Sequence, residues 1–460
     1  MKAIEDPGHA LDAGLAAIRA QFDVPASFPP AVLAAADAAA RRTPTEHVDR
    51  TDVAFVTLDP ATSTDLDQAL AIEPAGADLL LRYAIADVAW FVDDGDPCDV
   101  EAWKRGETQY LPDGRAGLYP PALAEAAASL LPDGPRPAVV FAVRVAPDGS
   151  ATLDGAERAI VLSRAKLAYT TVTEAELPAG FVELARRVQS AEDRRGASRV
   201  EPPEQGVERI DGGYALVFRD RLASEDRNAA LSLATNLAVA DALLHAGTGL
   251  FRTMPAPDGR AVGRLRHTAE AFGVAWQPDE PLDDLERRLD GHEPRQAAMM
   301  LAIRRASGGA RYVPFEPGVV PWHSAMAATY AHATAPLRRL ADRYVVRAAL
   351  AIARGEAVPA AVTDAFARLP DVMQRADAKA GQLERAVIDL AESVVLGGSV
   401  GRTFDAVVTD VDERGARVQL REHAVVGRVA AHGVQPGNAV RVKLVGVDPA
   451  QRRIDLERVG

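Results

Sequence analysis

The spacing of the apolar residues changes along the chain, and these changes limit the folds that the chain can adopt. Apolar residues first recur every three to four positions, which predicts two short helices at residues 10–22 and 31–42. Short β-type runs follow at 52–58, 78–92, 138–145 and 155–161. Longer helical stretches come later, at 177–196, 227–245, 336–354 and 371–396. Strands first and long helices later are typical of an α+β fold.

The last 60 residues have a different pattern, with five short β-rich runs separated by glycine or polar turns. These runs lie at 401–411, 415–420, 427–430, 439–447 and 453–457. Five strands in this length predict a small OB-type β-barrel, with an SH3-like barrel as the alternative.

The chain has 460 residues, enough for about three domains at roughly 150 residues each. We therefore expect a helical N-terminal segment at 1–51, a mixed-sheet catalytic domain with long helices at 52–398 and the barrel at 399–460. The two N-terminal helices are compatible with a helix-turn-helix or with a simple packing role.

The composition excludes several classes of protein. Hydrophobic residues make up 48% and charged residues 25% of the chain, which excludes disorder over most of its length. Cys98 is the only cysteine, so an intramolecular disulfide is impossible and a cysteine-based zinc site is disfavoured. The N-terminus lacks an apolar signal segment, and no apolar run reaches the ~18 residues of a membrane helix. We therefore expect a cytoplasmic, monomeric protein without a membrane partner.

The charge is unevenly distributed. The net charge is −13, which by itself argues against a nucleic-acid partner. However, residues 301–355 carry eight arginines against two acids, and residues 401–460 carry ten basic residues against eight acids. Such basic segments either follow a polyanion or are solvated helix faces, and the charge count leaves both interpretations open.

Three aspartates, Asp59, Asp65 and Asp67, fall within nine residues on a loop that follows a predicted strand. Asp65 and Asp67 flank one apolar residue, so in extended backbone they point the same way. Converging carboxylates repel one another unless a cation neutralises them, and hard oxygen ligands suit Mg²⁺ or Mn²⁺. The alternative is an acidic, Asx-capped surface loop.

A second cluster combines a helix-start signal with basic residues. Thr334 and Pro336 predict a helix that begins just before Arg338 and Arg339. A helix N-terminus beside a guanidinium is a favourable phosphate site, although an ordinary capped helix with exposed arginines has the same pattern.

Two tyrosines, Tyr110 and Tyr169, lie beside a chain breaker and near a basic residue, respectively. Nucleic-acid bases stack on such rings, whereas a half-buried tyrosine with a bonded hydroxyl is the structural alternative.

Taken together, these stretches resemble the ribonuclease II (RNB) family of processive 3′→5′ exoribonucleases. The matching segments occur in the family's order and lie between residues 52 and 398. They are 58–70 (LDPATSTDLDQAL), 83–92 (YAIADVAWFV), 104–112 (KRGETQYLP), 165–169 (AKLAY), 330–342 (YAHATAPLRRLAD) and 383–385 (LER). The predicted C-terminal barrel resembles the RNA-binding OB module that ends these enzymes.

The resemblance implies a Mg²⁺-dependent site, with Mn²⁺ as a possible substitute. Asp59, Asp65 and Asp67 match the family's metal-site aspartates, and Asp67 matches the one most essential to the chemistry. The family's fourth aspartate is replaced by Gln68, whose side-chain carbonyl is still able to ligate Mg²⁺.

The resemblance also implies roles in RNA binding. Arg338 matches the arginine that contacts phosphate at the cleavage site, and Tyr110 matches an aromatic residue that clamps the 3′-terminal base. Tyr169 matches a tyrosine near the sugar, and Glu384 matches a glutamate near the RNA end. The expected partner is single-stranded RNA, including RNA with 3′ overhangs, and the expected products are nucleoside 5′-monophosphates.

Two features of the chain motivate further expectations. Gln68 and the Ala229-Ala230 pair, which stands where the family has Glu-Glu, favour an alternative in which the chain binds RNA with weak or no cleavage. The helical pattern before Val53 predicts a short form without the family's N-terminal cold-shock barrels. Arg19, Arg41 and Arg42 of those helices are then candidates for contact with a duplex backbone.

Overall fold

Two helices come first in the computed structural model, which describes residues 4, 6, 9–197, 204–210, 213–219 and 221–459. The first helix buries Leu11, Leu15 and Ile18, and the second begins with Pro30, whose fixed φ suits a first helical position. Both helices agree with the sequence-based prediction to within three residues at each end. They are α1 (Ala10–Gln21) and α2 (Pro30–Ala39).

A seven-stranded mixed sheet forms the centre of the fold. Its order is β1-β8-β7-β4-β3-β2-β9, in which β1 runs parallel to β8 and β2 runs parallel to β9. Of the first nine strands, β5 and β6 lie outside this sheet and form a separate hairpin. The strands are β1 (Val48–Asp49), β2 (Phe55–Asp59), β3 (Gln68–Ala75), β4 (Asp78–Ala86), β5 (Gln109–Leu111), β6 (Gly114–Ala116), β7 (Arg136–Val145), β8 (Ala151–Val161) and β9 (Ser163–Ala168).

The interior strand β7 carries the apolar run 138–143, most of which is buried, because helices cover the sheet. Two short helices follow β4, and the second starts at the Asp96 cap, whose carboxylate accepts the Asp99 N–H at 2.7 Å. A single π-helical turn spans Leu123–Ala127. The elements of this region are α3 (Val88–Phe91), α4 (Pro97–Arg105), α5 (Phe181–Arg195), β10 (Glu204–Ile210), β11 (Gly213–Arg219) and α6 (Ala223–His245). Of the helices that follow β4, α5 and α6 pack on the sheet, and the strands β10 and β11 form a separate hairpin.

A helical insertion with its own apolar core follows α6. It lies between two paired strands, and its core includes Leu265, Leu285 and Met299. The last helix of the insertion contacts the C-terminal barrel through an ion pair between Arg305 and the buried Asp410. The elements of this region are β12 (Leu250–Thr253), α7 (Gly259–Phe272), α8 (Leu282–Arg288), α9 (Pro294–Ala306), β13 (Arg311–Pro314), β14 (Trp322–His323) and β15 (Ala328–Thr329).

Two long helices, α10 (Leu340–Ala353) and α11 (Ala360–Leu396), complete the body. The sequence predicted that α10 begins before Arg338, but it begins at Leu340, after both arginines. The prediction that α11 begins at 371 is also wrong, because the helix continues through Pro370. Burial of Val362 and Phe366 in the main core offsets the backbone bond that the proline removes.

The C-terminal strands form the predicted five-stranded OB-type sheet, in the order β18-β17-β16-β19-β20. Their bounds match the predicted runs to within two residues, and the α+β fold class is confirmed. At the junction with α11, the buried Glu392 carboxylate accepts bonds from Gln205 Nε2 at 2.6 Å and from the Val426 N–H at 2.7 Å. The strands are β16 (Thr403–Asp412), β17 (Gly415–Leu420), β18 (Val426–Val429), β19 (Ala439–Asp448) and β20 (Arg453–Arg458).

The basic segment 301–355 does not form one continuous surface. Five of its arginines are ion-paired with acids of other parts of the fold or of the same helix, and the Arg343 side chain is fully buried. Within the described residues, none of the helices is both long and apolar enough to cross a bilayer. The domain boundaries at 51/52 and 398/399 remain predictions.

The buried pair between Arg343 and Asp99 generates a stability prediction. Asp99→Ala leaves a charged guanidinium unpaired inside the core, which should cost about 3–5 kcal/mol of unfolding free energy. The matched control is Asp94→Ala, because the Asp94–Arg347 pair joins the same region to α10 but is partly exposed, and its loss should cost less than about 1 kcal/mol. Urea denaturation followed by circular dichroism measures both, and equal losses would contradict the prediction.

Candidate active site

The acidic loop joins two adjacent strands at one end of the sheet. Asp59 is the last residue of β2, and Asp67 immediately precedes β3, so both are anchored by strand pairing. Ser129 pins the middle of the loop: its hydroxyl accepts the Leu66 N–H at 2.8 Å and donates to the Thr64 carbonyl at 2.7 Å. The loop is therefore a fixed structure rather than a solvated surface turn.

Asp67 is held by a turn that lies 270 residues later in the chain. Its Oδ1 accepts the Leu337 N–H at 2.7 Å, and its Oδ2 lies 3.4 Å from Arg338 Nε. The turn itself is fixed by Asp342, whose carboxylate accepts the Ala335 N–H at 2.8 Å. These bonds explain why the helix starts late, since the residues from 335 to 339 are used to approach the acidic loop.

The two neighbouring arginines have different roles in this turn. Arg339 forms a bidentate pair with the buried Asp342, and its side chain is 24% exposed. Arg338 keeps 44% of its side chain exposed beside Asp67. Of the two, Arg338 is therefore the arginine that is available to an incoming anion.

The structure also accounts for Gly106, which ends α4 beside this turn. Its φ of +74° is in the region that favours glycine, and an added Cβ would lie 2.8 Å from the Ala376 Cβ of α11. The Gly106 carbonyl accepts the Leu340 N–H at 2.9 Å, and the Thr108 N–H donates to the Arg338 carbonyl at 3.0 Å. The segment after α4 thus holds the arginine turn from the other side.

Burial raises the pKa of both aspartates at the sheet end. It raises the pKa of Asp67 to about 8, although Arg338 and the Leu337 N–H favour the charged form. It raises the pKa of Asp59 to about 7, with Arg338 opposing the effect and Asp65 adding to it. Asp59 Oδ2 is buried and has no hydrogen-bond partner in the structure.

Asp65 makes different contacts, because Arg115 of the β5–β6 hairpin pairs with it. Arg115 also bonds Glu125 at 2.9 Å and Thr64 Oγ1 at 2.7 Å, so it bridges two acids. Sequence reasoning missed Arg115 and Glu125. The Pro-Asp-Gly sequence at 112–114 signals the hairpin turn, but no local signal indicates a partner 50 residues away.

Gln68 faces the interior rather than the aspartates. Its Oε1 accepts bonds from the hydroxyl of the buried Tyr83 and from Ser232 Oγ on α6, the latter at 3.0 Å. The hydroxyl oxygens of Tyr83 and Ser232 lie 2.6 Å apart, so the three side chains form one polar cluster. The amide oxygen that was expected to ligate Mg²⁺ is thus used to join the sheet to α6.

Both tyrosines lie at the site. Tyr110 has 55% of its surface exposed and directs its hydroxyl at Asp65 Oδ2, 3.4 Å away. Tyr169 directly follows β9; its N–H donates to the Asp59 carbonyl at 3.2 Å, and its hydroxyl accepts from Asn228 Nδ2 at 2.9 Å. Tyr110 offers a free ring face, whereas Tyr169 is held between the sheet and α6.

Glu384 is not part of this group. It is exposed on α11, two turns beyond Asp377 on the same helix face. Asp377 bonds Arg252 at 2.8 Å, so this face of α11 turns toward β12. Among the described residues, no hydrogen bond or ion pair joins Glu384 to the aspartates.

The acidic loop fits a divalent cation in part. Asp59 and Asp67 are two buried carboxylates with raised pKa values, and one of their oxygens is unpartnered, which is a donor set that a hard cation would satisfy. Within the described part of the chain, no three His, Cys, Asp or Glu side chains are already arranged around a metal position. Asp65 completes a three-carboxylate set only if it leaves Arg115.

Comparison with protein families assigns residues 47–354 to the RNB domain and residues 402–459 to the RNase II-type exonuclease C-terminal S1 domain. Ribonuclease R of Aquifex aeolicus is 27% identical over 95% of this chain and 69% of its own length. Exoribonuclease 2 of Yersinia enterocolitica is 29% identical over 86% of this chain and 64% of its own length. The chain thus spans about two thirds of the length of these curated relatives.

A solved structure shares the fold. RNase R of Mycoplasma genitalium, in complex with ribose-methylated single-stranded RNA, matches with a TM-score of 0.85 and 20% identity. The match covers 98% of this chain and 78% of that one.

The raised pKa of Asp67 generates a pH prediction. An aspartate whose folded pKa is about 8 binds a proton in the folded state that the unfolded chain releases near pH 4, so its contribution to stability falls as pH rises to 8. Asp67→Asn removes this loss of stability at high pH, because the amide does not ionise, and its oxygen still accepts the Leu337 N–H. In EDTA the variant should therefore melt a few degrees above the wild type at pH 8.5 and at nearly the same temperature at pH 5.

Differential scanning calorimetry at both pH values measures this effect. The control is Asp52→Asn, which removes the same charge at an exposed position just before β2 and should not change the difference between the two pH values. A variant that melts below the wild type at pH 8.5 would show that Asp67 does not destabilise the metal-free fold.

Proposed function

Because the chain belongs to the RNB family, as its sequence predicted, we propose that it is a metal-dependent 3′→5′ exoribonuclease acting on single-stranded RNA. The observation that carries the proposal is the pair of the buried Asp67 and the partly buried Asp59 beside the exposed Arg338. Two carboxyl groups with raised pKa values and one unpartnered oxygen, next to an accessible guanidinium, suit a phosphodiester together with a cation, which would hold both groups in the ionised form.

Three side chains at the site would hold the RNA end. The exposed ring of Tyr110 offers a stacking surface for the terminal base, worth ~1–3 kcal/mol. The Arg338 guanidinium belongs to the turn whose Arg338 carbonyl accepts the Thr108 N–H, and it would face the phosphate. Removal of one such preorganised donor typically costs ~10²–10³ in rate. Tyr169 stands between the sheet and α6, where it would border the sugar.

Asp59 and Asp67, joined by Asp65, would hold Mg²⁺. When bound, such an ion polarises the phosphoryl oxygen and lowers the pKa of a coordinated water. In the hydrolysis, a water oxygen bonds to phosphorus and the bond from phosphorus to the preceding 3′ oxygen breaks. Each cycle releases a nucleoside 5′-monophosphate, and we propose that the cycles are processive.

The alternative is an RNB-fold protein that binds RNA without cutting it. Gln68 favours it, because the amide oxygen at this position is engaged by Tyr83 and Ser232 and adds no negative charge. Incubation of 5′-labelled poly(A) with the protein, in Mg²⁺ or in EDTA, distinguishes the nuclease from the RNA-binding protein. Shortening of the RNA to short end products with release of mononucleotides in Mg²⁺ alone supports the enzyme, and tight binding without shortening supports the alternative.

Replacement of Asp67 should separate chemistry from binding. Asp67→Asn is expected to reduce the cleavage rate at least a hundredfold while RNA affinity stays equal or increases, because a negative charge beside the phosphate is lost. Asp52→Asn, the exposed control, should cleave like the wild type. A variant that keeps more than about a tenth of the wild-type rate would remove Asp67 from the catalytic site.

The loss of Asp67 as a metal ligand should also be detectable by a binding measurement that does not depend on catalysis. Mg²⁺ should raise the melting temperature of the wild type, because an ion that binds only the folded protein stabilises it. It should not raise that of Asp67→Asn, because the variant lacks the carboxylate that would bind the ion.

The barrel should act on long RNA. Arg441 and Lys443 are exposed on the same side of β19, and each phosphate that they neutralise should contribute about 0.7 to the slope of log affinity against log salt. Alanine at either position is therefore expected to lower that slope for a 30-nucleotide RNA while turnover of a 6-nucleotide RNA is unchanged. Arg186→Ala, a charge loss on the exposed face of α5, serves as the control. An unchanged slope would place the RNA on another face of the barrel.

A further inference from the structure

The N-terminal helix α1 lies outside the matched RNB segment, yet it contacts several elements of the body. Its apolar face packs in one cluster with Leu111 of β5, Ala116 of β6 and residues of α11. The Lys379 side chain of α11 donates to the Asp23 carbonyl just after α1 at 3.0 Å. Arg452 of the barrel donates to Gln21 at 2.6 Å. The helix is therefore held from three directions.

One side chain of this helix reaches the β5–β6 hairpin. Arg19 Nε and one terminal nitrogen each donate to an oxygen of Asp113 at 2.8 Å, and the same terminal nitrogen lies 3.2 Å from the Gly114 carbonyl. The two side chains are only 21% and 28% exposed. A planar guanidinium that meets a carboxylate with two parallel bonds fixes both distance and orientation. Arg19 therefore holds the turn of the hairpin and is not available to a duplex backbone.

The hairpin depends on outside support. It has three residue pairs, and two-stranded hairpins are marginally stable by themselves. Its middle pair is Tyr110 with Arg115, the two residues that reach Asp65. Any movement of the turn at Asp113 would therefore shift the exposed tyrosine ring.

We propose that Arg19 is a positioning residue for the RNA end: it fixes the hairpin turn, and through the turn it sets where Tyr110 meets the terminal base. The role in RNA binding rests on the proposed function, but the fixing of the hairpin does not. Arg19 acts on the site through this hairpin, because the described hydrogen bonds of its side chain go to the turn residues Asp113 and Gly114.

The first measurement concerns the hairpin itself. Hydrogen exchange of the backbone amides in residues 109–116 should become about five- to tenfold faster in Arg19→Gln, because a charge-assisted pair that closes the turn is lost. Arg42→Gln is the matched control: Arg42 of the N-terminal region also makes a bidentate pair, with Asp93, but that pair is remote from the hairpin in sequence and in contacts. Unchanged exchange at 109–116 in Arg19→Gln would overturn the proposal.

The second measurement concerns RNA. With a 6-nucleotide substrate, Arg19→Gln should raise KM about fivefold and leave kcat within twofold, as expected for loss of ground-state binding. Tyr110→Ala should raise KM as well, and the double variant Arg19→Gln/Tyr110→Ala should be no worse than Tyr110→Ala alone. Arg19→Lys, which keeps the charge but not the planar fork, should recover part of the loss. Full additivity of the two single effects would overturn the proposal.

The two measurements also distinguish this proposal from the proposed function. If exchange at 109–116 is faster in Arg19→Gln but the wild type never shortens RNA, Arg19 supports the hairpin and the proposed nuclease function is wrong. Cleavage by the wild type with normal exchange in Arg19→Gln would retain the nuclease and remove the role of Arg19.

Discussion

The burial of Asp59 and Asp67 at one end of the sheet is the constraint on which the surrounding structure depends. Carboxylates in a poorly solvated place lose hydration and repel each other, so a fold holds them only where donors and positive charge compensate. The turn that contains Leu337 and Arg338 supplies both to Asp67, although burial still raises the pKa of that group. The turn is itself held by hydrogen bonds to the Asp342 carboxylate and to the segment that follows α4.

The arginines show how this acidic chain distributes positive charge. Arg343 and Arg339 are bonded to acids inside the body, where the planar side chain satisfies several acceptors at once. Arg115 joins the middle of the hairpin to the acidic loop, and Arg19 joins the turn of the hairpin to α1. Arg338 differs because its acid partner is buried while much of its own side chain is accessible. The excess of acids over bases in the composition is thus no measure of what the site presents.

The barrel and the acidic loop were predictable because their signals are local. Alternating runs with turns between them define the five C-terminal strands to within two residues, and the segment 58–70 places the aspartates between two strands. The start of α10 was mispredicted because the Pro336 signal is overridden by bonds to Asp342 and to Asp67. The bond to Asp67 spans 270 residues, so no local window of sequence contains it. The pairs Arg115–Asp65 and Arg19–Asp113 were not predicted for the same reason, as each joins segments 50 or more residues apart.

Asp67 receives its backbone donor from a residue 270 positions later, and this distance has a consequence for biosynthesis. A chain that is still being translated can form β2, β3 and the acidic loop early, but it cannot complete the site until Leu337 and Arg338 have left the ribosome. Contacts between such distant segments also form slowly, because the entropy cost of closing a large loop comes before the contacts stabilise the chain. A nascent chain would therefore carry the acidic loop for most of its synthesis without the donor and the guanidinium that complete the site.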